Sequence, residues 1–346
     1  MKAIVDAGYE LYISVPDTED DRIEYFKGIG CKIIKTEFNR RGTNPIADLK
    51  LMMSYRRIIK ELKPKAVLSY TIKPNVYGGI ACRLTGTPQI ANVTGLGDAI
   101  ENGGWMQKLT VTLYRIGIGK AKQVFFQNPS NKESCLRFGI ANENAIVLPG
   151  SGVNLSHHTY QEYPTDGVIK FLYIARLQKD KGTGEYFEAA KAVKAKYPQT
   201  EFQVLGWKDG DYEGLLNELV ADGVINYLGT TSDVRPFLKD VHCTIMPSYH
   251  EGMSNVNLES AANGRPVITT NVPGCRETVD DCVTGFYCEA KSAESLIAAA
   301  KRFIALPWGE KKKMGENGRK KVEREFDRNI VVKAYLDAIN KIKPVL

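Results

Sequence analysis

The chain has 346 residues, of which 43% are hydrophobic and 25% charged, and this is the composition of a globular protein large enough for two domains. No apolar run approaches the roughly 20 residues that span a bilayer, and no signal-like segment opens the chain, so we expect a cytoplasmic protein. The net charge of +7 comes from residues 1–150, because acidic and basic side chains are equal in number over 151–346. A basic first half favours phosphates or an anionic membrane surface, whereas the lack of a recognised binding motif argues against nucleic acid.

Short β-rich segments alternate with amphipathic helices from residue 11 to about residue 150. The predicted strands cover 11–15, 32–35, 66–70, 89–94, 123–127 and 145–148. A helix is predicted over 46–63, with Leu49 and Met53 among its inward residues, Arg56 and Arg57 outside, and Pro64 after its end. The alternation predicts an α/β domain with a parallel sheet and helices on both faces.

The opening residues do not follow the usual order of such a domain. Residues 2–16 have the pattern of a helix end, a glycine turn and a strand, whereas a doubly wound domain opens with a strand at the centre of its sheet. We therefore expect that an opening βα half-unit of about 20–25 residues is missing. An upstream coding sequence in frame with Met1 would support this expectation.

Proline, glycine and polar residues accumulate over 149–167, which we interpret as a linker. The alternation then restarts, with strands predicted over 168–175, 202–205, 225–228, 243–246 and 266–269. We predict a first α/β domain at 1–150, a second at 151–330, and a helix at 331–346 that packs back on the first domain. His157 and His158 lie in the linker, where we expect a surface role.

The sequence contains no convincing metal site. Its seven cysteines include no CxxC pair and show no zinc-like spacing, which favours reduced thiols. Asp209, Gly210 and Asp211 resemble a metal-binding DxD triplet, but they stand in a polar segment between a predicted strand and a predicted helix, so we interpret them as a turn. We predict that the protein uses neither a metal nor another cofactor.

The strongest local signal is MPSYHEGMSNVNLE at 246–259, where a strand ends and a helix begins near Met253 and Ser254. The unpaired N–H groups of a helix start can hold a phosphate, and Gly252 permits close approach of a ligand. Glu251 and Glu259 are about two helical turns apart, so both can face one side and bind hydroxyl groups of a sugar and of a ribose. The alternative is a capping role for Glu251 and a surface position for Glu259.

A second signal follows the first predicted strand of the second domain. Arg176 and Lys181 lie where open α/β sheets bind ligands, and their charges could pair with a diphosphate. Each charge-assisted bond of this kind contributes about 1.5–3 kcal/mol. The alternative is a pair of solvated loop cations.

Taken together, these motifs resemble family 4 of the retaining glycosyltransferases, which have the GT-B fold of two Rossmann-like, doubly wound domains facing a cleft. The family's R-x4-K-G arrangement is matched by Arg176, Lys181 and Gly182, and its E-G-x6-E element begins at Glu251 and ends at Glu259. The segment YLGTTSD at 227–233 is similar to the family's nucleobase-side loop. TIKPNVYGG at 71–79 and NVTGLG at 92–97 resemble the branch that builds capsular, O-antigen or other polyprenyl-linked glycans.

The resemblance implies that 1–150 is the acceptor-side domain and 151–330 the nucleotide-sugar-binding domain, and it implies a role for each matched residue. Arg176 and Lys181 would neutralise the departing diphosphate, and Glu251 would hold hydroxyl groups of the transferred sugar. Glu259 would bind the ribose hydroxyls, and backbone amides at the helix start would face the sugar and phosphate. The remaining expected site residues are Gly182, Ser232, Gly252, Met253, Ser254 and Asn255 on the donor side, and Thr94, Gly95 and Gly97 on the acceptor side.

The activity implied by the resemblance is a retaining, metal-independent transfer from a nucleotide sugar, expected to be a UDP-sugar. The acceptor would be a polyprenyl-diphosphate-linked saccharide in surface polysaccharide biosynthesis, at the inner face of the cell membrane. Preorganised cations would stabilise the leaving diphosphate, so no glycosidase-type pair of carboxylates is required. Two alternatives stay open, a GT-B sugar-nucleotide epimerase and a non-catalytic nucleotide-sugar-binding partner. Epimerised nucleotide without acceptor would indicate the first, and binding without turnover the second.

Overall fold

The computed structural model describes residues 1–16, 22–36, 44–95, 104–142 and 144–343. The chain divides into two compact units: unit 1 comprises Met1–Leu148 and Val332–Leu346, and unit 2 comprises Pro149–Val331. Each pair of hydrogen-bonded strands in these ranges is parallel. The alternation of strands and helices in the sequence predicts this architecture, because parallel neighbours need a crossover connection that is usually a helix.

The strands of unit 1 form two sheets in the described part of the chain. Strand β1 (Tyr12–Val15) pairs with β2 (Lys32–Lys35), and a separate four-stranded sheet has the order β3-β4-β5-β6. The four strands are β3 (Val67–Tyr70), β4 (Gln89–Val93), β5 (Gln123–Phe126) and β6 (Ala145–Val147). All six strands lie where the sequence predicts them. The sequence predicts one sheet, however, whereas β1 and β2 are separate from the sheet of β3 to β6. The expected absence of an opening strand stays a prediction.

Six α-helices and a π-helical turn accompany these sheets in the described residues. They are α1 (Lys2–Asp6), α2 (Arg22–Gly28), α3 (Pro45–Leu62), the π-helical turn Pro74–Gly78, α4 (Gly79–Thr85), α5 (Gly104–Ile118) and α6 (Pro129–Arg137). Asn44 caps α3, because its side chain accepts hydrogen bonds from the amides of Ile46 and Ala47 at 3.0 and 3.3 Å. The helix ends before Lys63, which has the left-handed conformation.

Helix α3 turns a different face to the interior than its apolar pattern predicts. Leu49 and Met53 are exposed, at 57% and 48%, whereas Asp48 is buried. The reason is a polar contact, since Lys73 Nζ and Tyr77 Oη each lie 2.8 Å from an oxygen of the Asp48 carboxylate. Both partners belong to the TIKPNVYGG segment, so this segment sets the rotation of α3 about its axis.

The same segment also fastens the ends of the neighbouring strands β3 and β4. Asn75 is fully buried, accepts a hydrogen bond from Ser69 Oγ and donates one to the carbonyl of Asn92, each at 2.8 Å. A Cβ atom at Gly79 would lie 2.1 Å from the carbonyl oxygen of Gly117, so glycine allows α4 and α5 to touch. These contacts fix the carboxyl ends of β3 and β4.

Unit 2 contains one six-stranded parallel sheet with the order β12-β11-β10-β7-β8-β9. In chain order its strands are β7 (Ile169–Ile174), β8 (Thr200–Leu205), β9 (Ile225–Tyr227), β10 (Cys243–Met246), β11 (Val267–Thr270) and β12 (Gly285–Cys288). The sequence predicts the first five and misses the short edge strand β12. The chain builds the sheet in one direction from β7 to β9 and in the other from β10 to β12, so β7 and β10 meet at a topological switch point.

The helices of unit 2 cover this sheet and close the chain. They are α7 (Thr183–Lys196), α8 (Glu213–Ala221), α9 (Arg235–Lys239), α10 (Asn255–Ala262), α11 (Ala293–Ala305), α12 (Trp308–Glu325) and α13 (Arg328–Asn340), whose later residues belong to unit 1. The main core of unit 2 includes Phe171, Tyr186 and Phe202, which are fully buried and make aromatic contacts. This core holds β7 and β8 rigidly beneath the loops that follow the strands.

Candidate active site

The loops that follow β7 and β10 meet through an ion pair at the switch point. Lys181 ends a short 3-10 turn after β7, and its Nζ atom lies 2.8 Å from Oε1 of Glu251 in the loop after β10. The hydroxyl of Ser248 lies 3.0 Å from the same carboxylate oxygen. The structure therefore brings together two residues that the sequence predicts to act on the diphosphate and on the sugar.

Two glycines make this approach sterically possible. Gly182 has a φ of +70°, and a Cβ atom there would lie 2.2 Å from the carbonyl oxygen of Pro247. Gly274, in the loop after β11, has a φ of +82°, and a Cβ atom there would lie 2.2 Å from the carbonyl oxygen of Glu251. Any other residue would push the loops apart, so three consecutive strand ends converge at Glu251.

The helix start after this loop is built as the sequence predicts, with one correction. Ser254 caps α10 and its hydroxyl accepts from the amide of Asn257 at 3.4 Å. The Ser254 amide, however, donates to the carbonyl of Gly274 at 2.8 Å, which removes it from the expected phosphate-binding amides in this structure. The Met253 side chain is buried against Leu258 and Val322, so only its backbone can face a ligand. Gly252 precedes these residues, and the amide of Asn255 opens the helix.

Arg176 stands at the carboxyl end of β7 with an exposed side chain. The backbone next to it is fixed, because the Leu177 amide donates to the carbonyl of Trp207 at 3.0 Å. Arg176 therefore offers a solvated cation at the same end of the sheet as Lys181, which is half-buried. An exposed and a half-buried cation can neutralise different parts of one diphosphate.

Glu259 lies on α10 and is half-buried. Its Oε1 atom is 3.9 Å from Nε2 of His158. The pKa of Glu259 is raised to about 6, chiefly by burial, with Arg328 opposing the increase and the nearby charge of Asp233 adding to it. A carboxylate in such surroundings gains from hydrogen-bond donors, and hydroxyl groups of a ligand can supply them.

The position of His158 corrects a prediction. Its neighbour His157 is exposed, but His158 is only 7% exposed and contacts Asn263 as well as Glu259. Burial lowers the pKa of His158 to about 4, and the positive charges of Arg235 and Arg328 act in the same direction. The composition of the linker contains no signal that His158 is buried, because the residues that contact His158 lie about 100 residues further along the chain.

Ser232 lies in the 227–233 loop and its side chain is exposed. The next residue, Asp233, accepts two hydrogen bonds of 2.8 Å from the guanidinium of Arg235, which lowers the pKa of Asp233 to about 2. The charge of Asp233 acts on both Glu259 and His158. The predicted nucleobase-side loop and the predicted ribose-binding carboxylate therefore lie near each other.

Thr94 and Gly95 follow β4 in unit 1 and are half-buried, whereas Gly97 lies outside the described residues. Tyr70, at the end of β3, pairs with Asn92, so the next residue, Thr71, is near the start of this loop. Thr71 has a φ of +65°, a strained conformation for a β-branched residue that costs about 1–3 kcal/mol. The sequence contains no signal for this conformation of Thr71.

The DxD-like triplet is a turn in the structure. Asp209 precedes a 3-10 turn over Gly210–Tyr212 and accepts a hydrogen bond from the Gln178 side chain. In the described ranges, no group of three or more histidine, cysteine, aspartate or glutamate residues is arranged to hold a metal ion. The prediction that no cofactor is used stays a prediction.

Comparisons with known proteins match both units of the chain. The family described as "Glycosyl transferases group 1" matches residues 161–321, and "Glycosyl transferase 4-like" matches residues 1–128. A Campylobacter jejuni protein named N,N'-diacetylbacillosaminyl-diphospho-undecaprenol alpha-1,3-N-acetylgalactosaminyltransferase is 26% identical over 99% of this chain and 94% of its own length. An Escherichia coli protein named UDP-Gal:alpha-D-GlcNAc-diphosphoundecaprenol alpha-1,3-galactosyltransferase is 26% identical over 76% of this chain and 72% of its own.

A solved structure is similar to the chain over nearly its whole length. The structure of Anabaena HepE in complex with UDP and glucose has a TM-score of 0.78, covers 95% of this chain and 91% of its own, and is 15% identical. At this level of identity the likeness concerns the fold. The predicted GT-B architecture is confirmed.

Proposed function

The chain belongs to the group 1 and 4-like glycosyltransferases with the GT-B fold, and on that premise we propose that it transfers a sugar from a UDP-sugar to a polyprenyl-diphosphate-linked saccharide, with retention of anomeric configuration. The observation that carries the proposal is the Lys181–Glu251 contact at the carboxyl ends of β7 and β10. The product would enter surface polysaccharide biosynthesis. The names of both relatives, which describe α-1,3 transfer to diphospho-undecaprenol-linked sugars, support this acceptor class.

The spacing of the ion pair suits a glycosyl diphosphate. In that substrate a sugar ring carrying hydroxyl groups is joined directly to a phosphate. A group that accepts hydrogen bonds from the hydroxyls and a cation for the phosphate must therefore lie side by side. Glu251 and Lys181 do so at 2.8 Å, with Ser248 supporting the carboxylate. We assign Glu251 to the sugar hydroxyls and Lys181 to the leaving diphosphate, with Arg176 on its solvent side.

The reaction follows from where charge develops. The bond between the anomeric carbon and the phosphate oxygen breaks, positive charge grows on the sugar ring, and negative charge grows on the diphosphate. Lys181 and Arg176 stabilise the leaving group, and cations preorganised in this way contribute strongly to catalysis. The acceptor hydroxyl attacks from the face that the diphosphate leaves, and its proton passes to a diphosphate oxygen. The anomeric configuration is thereby retained.

We also propose that the enzyme reaches its lipid-linked acceptor as a peripheral protein on the cytoplasmic face of the membrane. No helix among the described residues has the length and apolarity to cross a bilayer. One side of α3, here called the α3 outer face, carries exposed apolar and basic side chains at helical spacing. They are Ile46, Leu49, Lys50, Met53, Arg57 and Lys60. Apolar side chains beside cations suit the boundary between acyl chains and anionic headgroups.

The test is a transfer assay with a panel of UDP-sugars and polyprenyl-diphosphate-linked saccharides. Lys181→Ala is expected to lower kcat by about 10²–10³-fold, the effect of losing one preorganised charge-stabilising group. Lys179→Ala is the matched control, because Lys179 is an exposed cation in the same turn. An α-linked product from an α-linked donor supports retention, and a β-linked product contradicts it. Full activity of Lys181→Ala would overturn the assignment of the site.

A further inference from the structure

His158 lies against the carboxylate that is expected to bind the donor ribose, and its backbone is fixed. The His158 amide donates to the carbonyl of Asn154 at 2.8 Å, and its own carbonyl accepts from Nη1 of Arg319 at 2.7 Å. Arg319 Nη1 also binds the carbonyl of Ala262, at the end of α10, at 2.7 Å. The histidine is therefore fastened to the helix that carries Glu259.

The hydrogen bonds of Asn263 determine which imidazole nitrogen carries the proton. Asn263 Nδ2 lies 2.7 Å from the carbonyl oxygen of Glu259, and this contact requires the amide nitrogen at that position. The same nitrogen lies 3.1 Å from Nδ1 of His158, so Nδ1 must accept. Burial keeps the His158 pKa near 4, so the ring is neutral at physiological pH and has a single N–H. That N–H is on Nε2.

The Nε2 atom of His158 lies near the Glu259 carboxylate. Nε2 lies 3.9 Å from Oε1 of Glu259, about 1 Å longer than an N–H···O hydrogen bond. Hydrogen bonds at active sites often shorten when the substrate binds. A small rotation of the Glu259 side chain would close this distance and leave the other carboxylate oxygen for a ligand.

We propose that His158 is a positioning residue, whose Nε2–H group orients the Glu259 carboxylate toward the ribose hydroxyls of the donor nucleotide. The inference rests on the proposed function, because it takes Glu259 as the ribose-binding group. A neutral donor suits this task, since it orients the carboxylate without pairing with it as a cation would. The other charges around Glu259 are those of Arg328 and Asp233, with opposite signs. Because these two charges oppose each other, the imidazole N–H group determines the orientation of the Glu259 carboxylate.

Two variants distinguish the roles of the two ring nitrogens of His158. The amide of asparagine reaches the position of Nδ1, and the amide of glutamine reaches the position of Nε2. His158→Asn therefore removes the donor facing Glu259, and His158→Gln restores an N–H there. Both replacements are neutral, so the charge of the site is unchanged.

The experiment measures the binding of UDP, 2′-deoxy-UDP and 3′-deoxy-UDP to wild-type protein and both variants by calorimetry at constant pH and salt. We expect His158→Asn to weaken UDP binding about tenfold, or 1.4 kcal/mol, and to reduce the preference for UDP over the deoxy nucleotides by a similar factor. His158→Gln is expected to bind UDP within about threefold of wild type. In the transfer assay, His158→Asn should raise KM for the donor while kcat stays within about twofold.

Each outcome has a distinct meaning. Equal UDP affinity and equal ribose preference in wild type and His158→Asn would overturn the inference. So would an equal loss in both variants, which would indicate a merely structural role. If the wild-type protein binds no uridine nucleotide, the proposed function itself fails. Unfolding curves for both variants establish that the measured protein is folded.

Discussion

Lys181 Nζ lies 2.8 Å from Glu251 Oε1, although the two residues are separated by 70 positions and follow different strands. Their side chains are only 18% and 17% exposed, so this is a largely desolvated ion pair. Removing one member of such a pair leaves a charge without compensation, whereas replacing both by apolar residues can be neutral for stability. The pair therefore allows stability and catalysis to be tested separately.

Glu251→Ala should lower the free energy of unfolding by about 1–3 kcal/mol, because Lys181 would keep its charge without a partner in a half-buried position. The double variant Lys181→Met/Glu251→Met should recover most of this loss while remaining inactive. Urea unfolding and the transfer assay provide the two measurements. If the double variant were as unstable as the single one, the ion pair would not be the cause of the loss.

Donor binding should weaken below pH 6. Glu259 must be ionised to accept hydrogen bonds from two ribose hydroxyls, and its pKa is about 6, so acidification protonates it within the accessible range. Below this pKa we expect the Kd for a UDP-sugar to rise by up to about tenfold per pH unit. A UDP-sugar suits the titration because its diphosphate, esterified at both ends, does not titrate there. The Glu259→Gln variant should bind weakly at every pH, and a persisting pH dependence would assign the titration to another group.

Glu259 and His158 should make contributions of opposite pH dependence to the stability of the nucleotide-free protein. The raised pKa of Glu259 means that the folded state binds its proton more tightly, so this contribution is present below pH 4.5 and is lost as pH rises through 6. The lowered pKa of His158 means that the unfolded chain binds the proton more tightly between pH 4 and 6.5, so this contribution increases with pH.

Relative to wild type, His158→Asn should therefore gain stability as pH falls from 6.5 to 4, and Glu259→Gln should lose up to about 2 kcal/mol as pH falls from 6 to 4.5. Urea midpoints at a series of pH values measure both trends. Parallel pH curves for the two variants would contradict the opposite shifts assigned to these groups.

Gly182 should not tolerate a side chain. Its φ of +70° is unfavourable for alanine, and a Cβ atom would lie 2.2 Å from the carbonyl oxygen of Pro247. Gly182→Ala should therefore separate the two site loops and reduce activity at least about tenfold through loss of positioning. Gly184→Ala is the matched control, because the nearest atom to its Cβ would lie at 3.7 Å. Similar activity of both variants would show that the loop contact is dispensable.

The α3 outer face should mediate binding to anionic vesicles. Each surface cation contributes about 1 kcal/mol near such a membrane, so Lys50→Glu/Arg57→Glu/Lys60→Glu should weaken binding to phosphatidylglycerol vesicles at least about 100-fold. Raised salt should weaken wild-type binding as well. Lys191→Glu/Lys196→Glu/Lys239→Glu applies the same charge change to exposed residues of unit 2. Equal binding by the two triple variants, or binding indifferent to salt, would refute this assignment.

Local patterns in the sequence predict the elements of both units and the two loops that bring Lys181 to Glu251. Period-two and period-3.6 apolar patterns are local, so eleven of the twelve described strands were predictable, and β12 was missed. The placement of Glu251 and Lys181 at one site was predictable from the order of the strands. Loops after parallel strands must lie at one edge of a sheet, so residues far apart in the chain can be assigned to one site.

The pairing of buried polar side chains, by contrast, depends on the packed fold. Asp48 is buried because Lys73 and Tyr77 meet it, and this rotation exposes Leu49 and Met53 against their apolar pattern. His158 is buried because Asn263, 105 residues further along, accommodates one of its nitrogens. Periodicity reports how polar a residue is, but a polar group can be buried wherever a distant partner satisfies its hydrogen bonds, and only the packed fold brings that partner close.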